Sequence, residues 1–203
     1  MAIEIWILIL RANRGITFEY ILNKMPRAQF GWFVDASTSW GIGGCCGVHY
    51  FMIEKSDMID FFELYTEKSK IEGTSPNVLI PIAYIELLAA LFGIVVFSDL
   101  CQGTLVRLYS DNTDVISWLQ RGRCRAGIGF KILSAIELIK RRDCIKLSPK
   151  YIKGKCNTTA DCLSRGEIPK WLQERGRRLN PDMPRIFEMI TRPINAWREM
   201  LKM

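Results

Sequence analysis

The feature that most constrains the fold is an apolar run from Val78 to Phe97, in which Glu86 is the only charged residue. Such a run is long enough to cross a bilayer as a helix. A helix that is apolar all round is also typical of a protein core. Pro81 interrupts the start, and a central acid costs roughly 2.5–3.5 kcal/mol on membrane-insertion scales. We therefore expect a buried core helix from Ile82 to about Leu100, with a membrane span as the alternative.

The bulk composition is that of one globular domain with a small appendage. The chain has 203 residues, of which 49% are hydrophobic and 24% are charged. These proportions argue against intrinsic disorder. The formal net charge is +7. If that excess charge collects on one face, it would suit a polyanionic partner.

The cysteines are typical of reduced thiols. There are seven, without paired metal-ligand spacing, and His49 is the only histidine. A structural zinc site is therefore not expected. The early apolar run Ile5–Leu10 is too short for a span and has no signal-peptide cleavage pattern. We expect an intracellular protein, cytoplasmic or nuclear, without a membrane anchor.

The order of elements predicts a mixed α/β fold. Strands are expected at 29–35, 41–48, 50–53, 104–110 and 144–152. The second and third would form hairpins with their neighbours, and the later strands would join in parallel through helical crossovers. Helices are expected at 82–100, 113–119 and 130–142, with a short one around Asp161. Residues 54–77 look like a variable connection.

Four carboxylates occur in four short motifs: Phe-Val-Asp35-Ala-Ser, Tyr-Ile-Glu86-Leu-Leu, Tyr-Ser-Asp111-Asn-Thr and Thr-Ala-Asp161-Cys-Leu-Ser-Arg. If their elements pack together, the side chains converge and repel one another unless cations hold them. Hard oxygen ligands select Mg²⁺ or Mn²⁺. Singly, each acid has another interpretation: a helix cap for Asp111, a paired core carboxylate for Glu86, a surface residue for Asp161.

Together, the motifs resemble the type 1 ribonuclease H domain of retroelement reverse transcriptases over about residues 29–166. The ending Gly-Lys-Cys-Asn-Thr-Thr-Ala-Asp-Cys-Leu-Ser-Arg is similar to gypsy-type elements. Ser-Asp-Asn-Thr followed by Arg-Gly-Arg looks more like elements of the DIRS type. The resemblance implies a five-stranded mixed sheet of order 3-2-1-4-5 flanked by helices.

It also implies an enzyme that hydrolyses the RNA strand of RNA/DNA hybrids with two Mg²⁺ ions, for which Mn²⁺ can substitute. Asp35, Glu86, Asp111 and Asp161 would be the catalytic metal ligands. Expected nucleic-acid contacts come from six further residues: Ser37, Asn112, Tyr151, Lys153, Lys155 and Arg165. Such domains usually carry a histidine where this chain has Tyr151, and a phenol is a poor proton shuttle near neutral pH.

The resemblance divides the chain into three parts. Residues 1–28 would be a lead-in left from a polymerase connection, 29–166 the ribonuclease H-like domain, and 167–203 a basic helical extension. Association with a reverse transcriptase polymerase domain is expected. Two alternatives stay open: an inactive module that binds hybrid or acts as a scaffold, and an integrase or transposase core. That last class ends its catalytic set with a Glu on a late helix, which is not visible here.

Overall fold

The computed structural model of the chain describes residues 25–59, 61, 63, 80–124 and 127–191. The rest of the lead-in, most of the 54–77 connection and the last residues of the C-terminal extension lie outside the described residues.

The described structure is an α/β fold built on a six-stranded mixed sheet. The strands are β1 (Trp32–Ala36), β2 (Gly41–Cys46), β3 (His49–Glu54), β4 (Leu105–Ser110), β5 (Lys146–Tyr151) and β6 (Arg177–Arg178). Their order across the sheet is β5-β4-β1-β2-β3-β6. The β1–β2 and β2–β3 pairs are antiparallel, and the β1–β4, β4–β5 and β3–β6 pairs are parallel.

The sixth strand corrects the expected five-stranded sheet. The amide of Arg177 donates to the carbonyl of Val48, and that of Leu179 donates to the carbonyl of Tyr50. These backbone bonds extend the sheet beyond β3 with a two-residue strand. Further along, Ile186, Met189 and Ile190 are buried in the main core. Residues 170–191, expected as a separate appendage, therefore pack against the sheet and its core.

The helices that lie wholly within the described residues are α1 (Ile82–Phe97), α2 (Thr113–Arg121), α3 (Gly127–Arg142), α4 (Thr158–Ser164), α5 (Lys170–Arg175) and α6 (Met183–Thr191). Short 3₁₀ turns cover Lys55–Met58, Ser98–Leu100 and Gly154–Cys156. α1, α2 and α3 lie on one face of the sheet, where their apolar side chains share the main core. α4 packs on β1, β2 and β3 from the other face. There Leu163 of α4 and Leu172 of α5 form a second core cluster with Tyr50 and Met52.

α1 is the core helix that the apolar run predicts. A Cβ atom at Gly93 would lie 3.0 Å from Cγ1 of Val34, so the helix approaches β1 closely. Ile82–Leu100 has the length and composition of a membrane span, but 72% of the segment is buried within the structure. Burial of this kind is expected of the central helix of a globular domain.

Some boundaries differ from the expected ones. β1 begins at Trp32 rather than at residue 29, because Gln29 and Phe30 form a bend. α3 begins at Gly127 rather than at Phe130, and Ile128 is buried there. β4 shows the expected alternation, since Val106 and Leu108 are fully buried while Arg107 is exposed.

Candidate active site

Two parallel strands bring the first two aspartates to one edge of the sheet. Trp32 pairs with Leu108 and Phe33 with Tyr109, so β1 and β4 run in the same direction. Asp35 lies near the end of β1, and Asp111 directly follows β4. The carboxyl ends of parallel neighbours meet at one edge, which is where crevices form in open α/β sheets.

Asp35 is held by a buried serine of α4. The hydroxyl of Ser164 donates to Oδ2 of Asp35 at 2.6 Å and also lies 2.9 Å from the carbonyl oxygen of Asp161. Asp35 is only 7% exposed. Close packing fixes this contact, because a Cβ atom at Gly43 would lie 2.5 Å from the backbone of Leu163.

Glu86 reaches the same edge from α1, on the opposite face of the sheet. It is also 7% exposed. Ser110 Oγ donates to Oε2 at 3.2 Å, and Asn112 Nδ2 donates to Oε1 at 3.2 Å. Both carboxylate oxygens of Glu86 therefore accept hydrogen bonds from neutral groups at the end of β4.

Asn112 joins the site to the start of α2. Its Oδ1 accepts from the amides of Asp114 at 2.9 Å and Val115 at 3.3 Å, which makes Asn112 the helix cap. From the sequence, a helix cap was an alternative interpretation of Asp111. Because Asn112 takes the role, the carboxylate of Asp111 is left for other partners. A Cβ atom at Gly154 would lie 2.8 Å from Oδ2 of Asp111, so a larger residue there would require the Asp111 carboxylate to shift.

Asp161 is more exposed than Asp35 and Glu86, with 43% of its side chain accessible. Its Oδ1 accepts from both Nε and Nη2 of Arg165 at 2.8 Å. Arg165 lies one helical turn after Asp161, directly after the end of α4. The pairing raises the pKa of the Arg165 guanidinium. Within the described residues, Asp161 is the one of the four acids that forms an ion pair with a cationic side chain.

Burial raises the pKa of both enclosed acids. The pKa of Asp35 rises from 3.8 to about 6, mainly through burial, with added repulsion from Asp111 and Asp161 and an opposing hydrogen bond from Ser164. The pKa of Glu86 rises from 4.5 to about 7, again mainly through burial, with repulsion from Asp111 and Asp35. The hydrogen bond from Asn112 opposes that rise. Asp35 is therefore close enough to Asp111 and Asp161, and Glu86 to Asp111 and Asp35, for their charges to interact.

The donor set suits a hard divalent cation. Within the described residues, Asp35, Glu86 and Asp111 have no Lys or Arg partner in an ion pair. Buried acids without a counterion are costly, and a cation relieves that cost. In the described part of the chain, however, no three His, Cys, Asp or Glu side chains are gathered as a ready-made metal site. The oxygens would have to move closer together to ligate an ion.

The residues expected to contact nucleic acid differ in their exposure and in the hydrogen bonds that they already make. Tyr151 is 53% exposed at the end of β5, and Lys153 and Lys155 are exposed in the following turn. The hydroxyl of Ser37 is hydrogen-bonded to that of Ser39 at 2.7 Å in the β1–β2 turn. Arg165 is held by Asp161, and the side chain of Asn112 is used within the protein.

Three buried polar residues were not expected from the sequence. Ser110 and Ser164 hold Glu86 and Asp35. Asn157 Nδ2 donates to the carbonyl of Val34 at 3.1 Å, tying the start of α4 to β1. All three lie within or beside the acidic motifs, and that position in the sequence could have indicated them as hydrogen-bond partners of the site. Polar residues next to a buried carboxylate are the expected source of its hydrogen bonds.

Comparisons of the chain with models of known protein families, with curated proteins and with solved structures found no match.

Proposed function

We propose that the chain is a metal-dependent nuclease that hydrolyses the RNA strand of RNA/DNA hybrids, as a ribonuclease H-like part of a retroelement reverse transcriptase. The observation that supports the proposal is that four acids from four separate segments lie toward one edge of the sheet, although the described residues hold no three of them close enough for a ready-made metal site. Two of them, Asp35 and Glu86, are buried and their pKa values are raised by burial and by the other acids. Clusters of this kind are more typical of functional sites than of structural ones.

The strand arrangement supports the same proposal. Without β6, the remaining neighbours across the sheet are β3, β2, β1, β4 and β5. That sequence of neighbours, with β1 antiparallel to β2 and parallel to β4, is the one the resemblance implies. The helix that carries Glu86 packs on β1, the strand that carries Asp35. This packing would allow Glu86 to share a metal ion with Asp35.

Each residue has a definable task in this proposal. Asp35, Glu86, Asp111 and Asp161 would hold the two ions. When bound, divalent cations would lower the pKa of an attacking water and stabilise the leaving 3′ oxygen. Ser164, Ser110 and Asn112 orient the buried carboxylates by hydrogen bonds to their oxygens. Lys153 and Lys155, exposed beside the edge, would contact backbone phosphates without reading sequence.

A second function, hybrid binding without cleavage, is favoured by two observations. Tyr151 stands where the resemblance leads one to expect a histidine. Arg165 already neutralises Asp161, which weakens that residue as a ligand. A protein with these changes would keep the fold and the basic turn but turn over slowly.

The deciding experiment is cleavage of an end-labelled RNA/DNA hybrid with Mg²⁺ or Mn²⁺, for wild type and Asp111→Asn. Metal-dependent cleavage by the wild type, absent in the variant, supports the nuclease. Binding of hybrid without cleavage, by a protein whose circular dichroism shows it folded, supports the binding module. RNA/RNA and DNA/DNA duplexes serve as substrate controls, since neither offers the hybrid.

A further inference from the structure

Among the described residues, the helices leave one half of the sheet face that carries Asp35 open. α4 contacts β1, β2 and β3 on that face. α2, the helix that contacts β4 and β5, shares the main core with Val106 and Leu108 and therefore lies on the opposite face. The open half, here called the β4–β5 face, is formed by six side chains: Leu105, Arg107, Tyr109, Lys146, Ser148 and Lys150.

The register places these side chains next to one another. Leu105 pairs with Lys146, Arg107 with Ser148 and Tyr109 with Lys150. Parallel neighbours in register point to the same face, and neighbouring strands lie about 4.8 Å apart. From Lys146 to Lys150 the face extends over roughly 13 Å of strand. Arg107 therefore lies between the two lysines, on the adjacent strand.

The β4–β5 face is positively charged without internal compensation. Neither strand contains an acidic residue. No ion pair joins Arg107, Lys146 or Lys150 to a carboxylate of the described residues. Arg107 and Lys150 are exposed. Three cations on one open sheet face complement an anionic chain, not an apolar partner.

Aromatic rings accompany the charges. The rings of Tyr109 and Phe33 stack with centroids 4.7 Å apart and planes 10° apart. A Cβ atom at Gly31 would lie 2.7 Å from Cε2 of Tyr109, so glycine leaves the space that the ring occupies. Tyr109 is half-buried and stands opposite Lys150. A positive surface with an aromatic ring is the combination that binds single-stranded nucleic acid.

The face is continuous with the candidate active site. Tyr151 follows Lys150 and pairs with Ser110, whose hydroxyl donates to Glu86. Phe33 and Asp35 share one face of β1, two residues apart. We propose that the β4–β5 face binds a single strand of nucleic acid that continues out of the hybrid held at the acidic edge. The continuation of the strand from a hybrid at the acidic edge rests on the proposed function; binding of a single strand by the face itself does not.

The test compares hybrids with and without a single-stranded extension of about 12 nucleotides, within the range for one such surface. Binding is followed by fluorescence anisotropy, with the whole chain carrying Asp111→Asn so that the substrate stays intact. Oligothymidine and oligouridine extensions distinguish DNA from RNA as the preferred strand. We expect at least one extension to tighten binding about tenfold.

The variant Arg107→Gln/Lys146→Gln/Lys150→Gln should lose that gain and keep the affinity for blunt hybrid. The slope of log affinity against log salt for the extended hybrid should fall by about 2, because roughly 0.7 of a counterion is released per phosphate of a single strand. The matched control is Lys170→Gln/Arg175→Gln/Arg185→Gln, which removes three exposed charges elsewhere. It should keep the gain. Tyr109→Thr, which retains a strand-forming residue, should lose part of it.

Three results would overturn the proposal. One is an extension that does not tighten wild-type binding, and another is a control variant that loses as much as the β4–β5 variant. The third is a wild type that sediments as a dimer, with the β4–β5 variant monomeric and no binding of single strands. If blunt hybrid is not bound at all, the proposed function fails separately. Binding of oligothymidine or oligouridine alone, lost only in the β4–β5 variant, would then still support the face.

Discussion

The hydroxyl of Ser164 lies 2.6 Å from Oδ2 of Asp35. Ser164 is the last residue of α4, and Asp35 lies in β1. The bond holds the charged form of Asp35 and opposes the rise of its pKa. Ser164 is fully buried, so no water replaces its hydroxyl readily.

Ser164→Ala should raise the pKa of Asp35 further above about 6 and cost about 1–3 kcal/mol of unfolding free energy at pH 8. The reason is that a buried carboxylate loses a donor while keeping its charge. Carbon NMR of labelled aspartate side chains measures the pKa, and urea unfolding measures the stability. Ser110→Ala is the control, because its hydroxyl bonds Glu86 instead. An unchanged pKa of Asp35 in Ser164→Ala would contradict the role assigned to the bond.

The raised pKa of Asp35 predicts a pH dependence of stability in metal-free protein. Between pH 3.8 and about 6 the folded state binds more protons at Asp35 than the unfolded state does. Its contribution is therefore favourable at low pH and is lost as the pH rises through this window. The loss amounts to about 3 kcal/mol. Glu86 acts in the same direction up to about pH 7.

Asp35→Asn removes this titration, so we expect its stability relative to wild type to increase from pH 4 to pH 8. Urea unfolding at several pH values in EDTA measures the difference. Asp182→Asn is a control, since Asp182 is exposed in the loop before α6. A wild-type difference that stays constant with pH would show that Asp35 is not perturbed by folding.

Much of the architecture follows from side-chain patterns. The alternation of β4 and the uniform apolarity of α1 predict one half-buried strand and one core helix, and both are present. β6 could not be predicted in this way, because two arginines form it through backbone bonds to β3. Such pairing depends on where the chain returns in space, which local composition does not encode.

The candidate site divides along the same line. Motifs locate the four acids, because strand ends and buried helices determine where those side chains lie. The motifs do not show which residues hydrogen-bond to the acids. Asn112 caps α2 and also donates to Glu86, and the second contact depends on the packing of α1 on β1 and against α2. The Asp161–Arg165 pair was within reach of the sequence, since residues four apart on a helix are neighbours.

Divalent cations should stabilise the protein through the acidic edge. If the buried carboxylates hold Mg²⁺, ligand at about 100 times its Kd should raise the Tm by about 5–10 °C. Mn²⁺ should act similarly and NaCl at equal ionic strength should not. Glu86→Gln should abolish most of the shift, while Glu174→Gln, at an exposed position of α5, should keep it. Equal shifts in both variants would assign the cation effect to another part of the chain.

The packing of α4 on β2 predicts an asymmetry between two glycines. At Gly43 a Cβ atom would lie 2.5 Å from the Leu163 carbonyl carbon and 2.6 Å from the Ser164 amide, both backbone atoms. Gly43→Ala should therefore displace α4 and cost about 2–4 kcal/mol. At Gly93 the contact is a Val34 methyl at 3.0 Å. Alanine in place of glycine gains helix propensity of about 1 kcal/mol.

Gly93→Ala should consequently change the unfolding free energy by less than about 1 kcal/mol. Thermal and urea unfolding of both variants test the pair. A loss in Gly43→Ala as small as that in Gly93→Ala would mean that α4 can shift at little cost. Such mobility would remove the argument that Gly43 fixes the Ser164–Asp35 contact.

The final prediction concerns the charge balance of Asp161. Because Arg165 supplies two donors to one oxygen of Asp161, the acid is already neutralised before any cation binds. Arg165→Gln should strengthen Mg²⁺ binding, measured as a larger shift in Tm, and should weaken hybrid binding if Arg165 also contacts phosphate. Arg175→Gln is the control for loss of one exposed charge. Weaker Mg²⁺ binding in Arg165→Gln would instead show that the arginine holds Asp161 in position as a ligand.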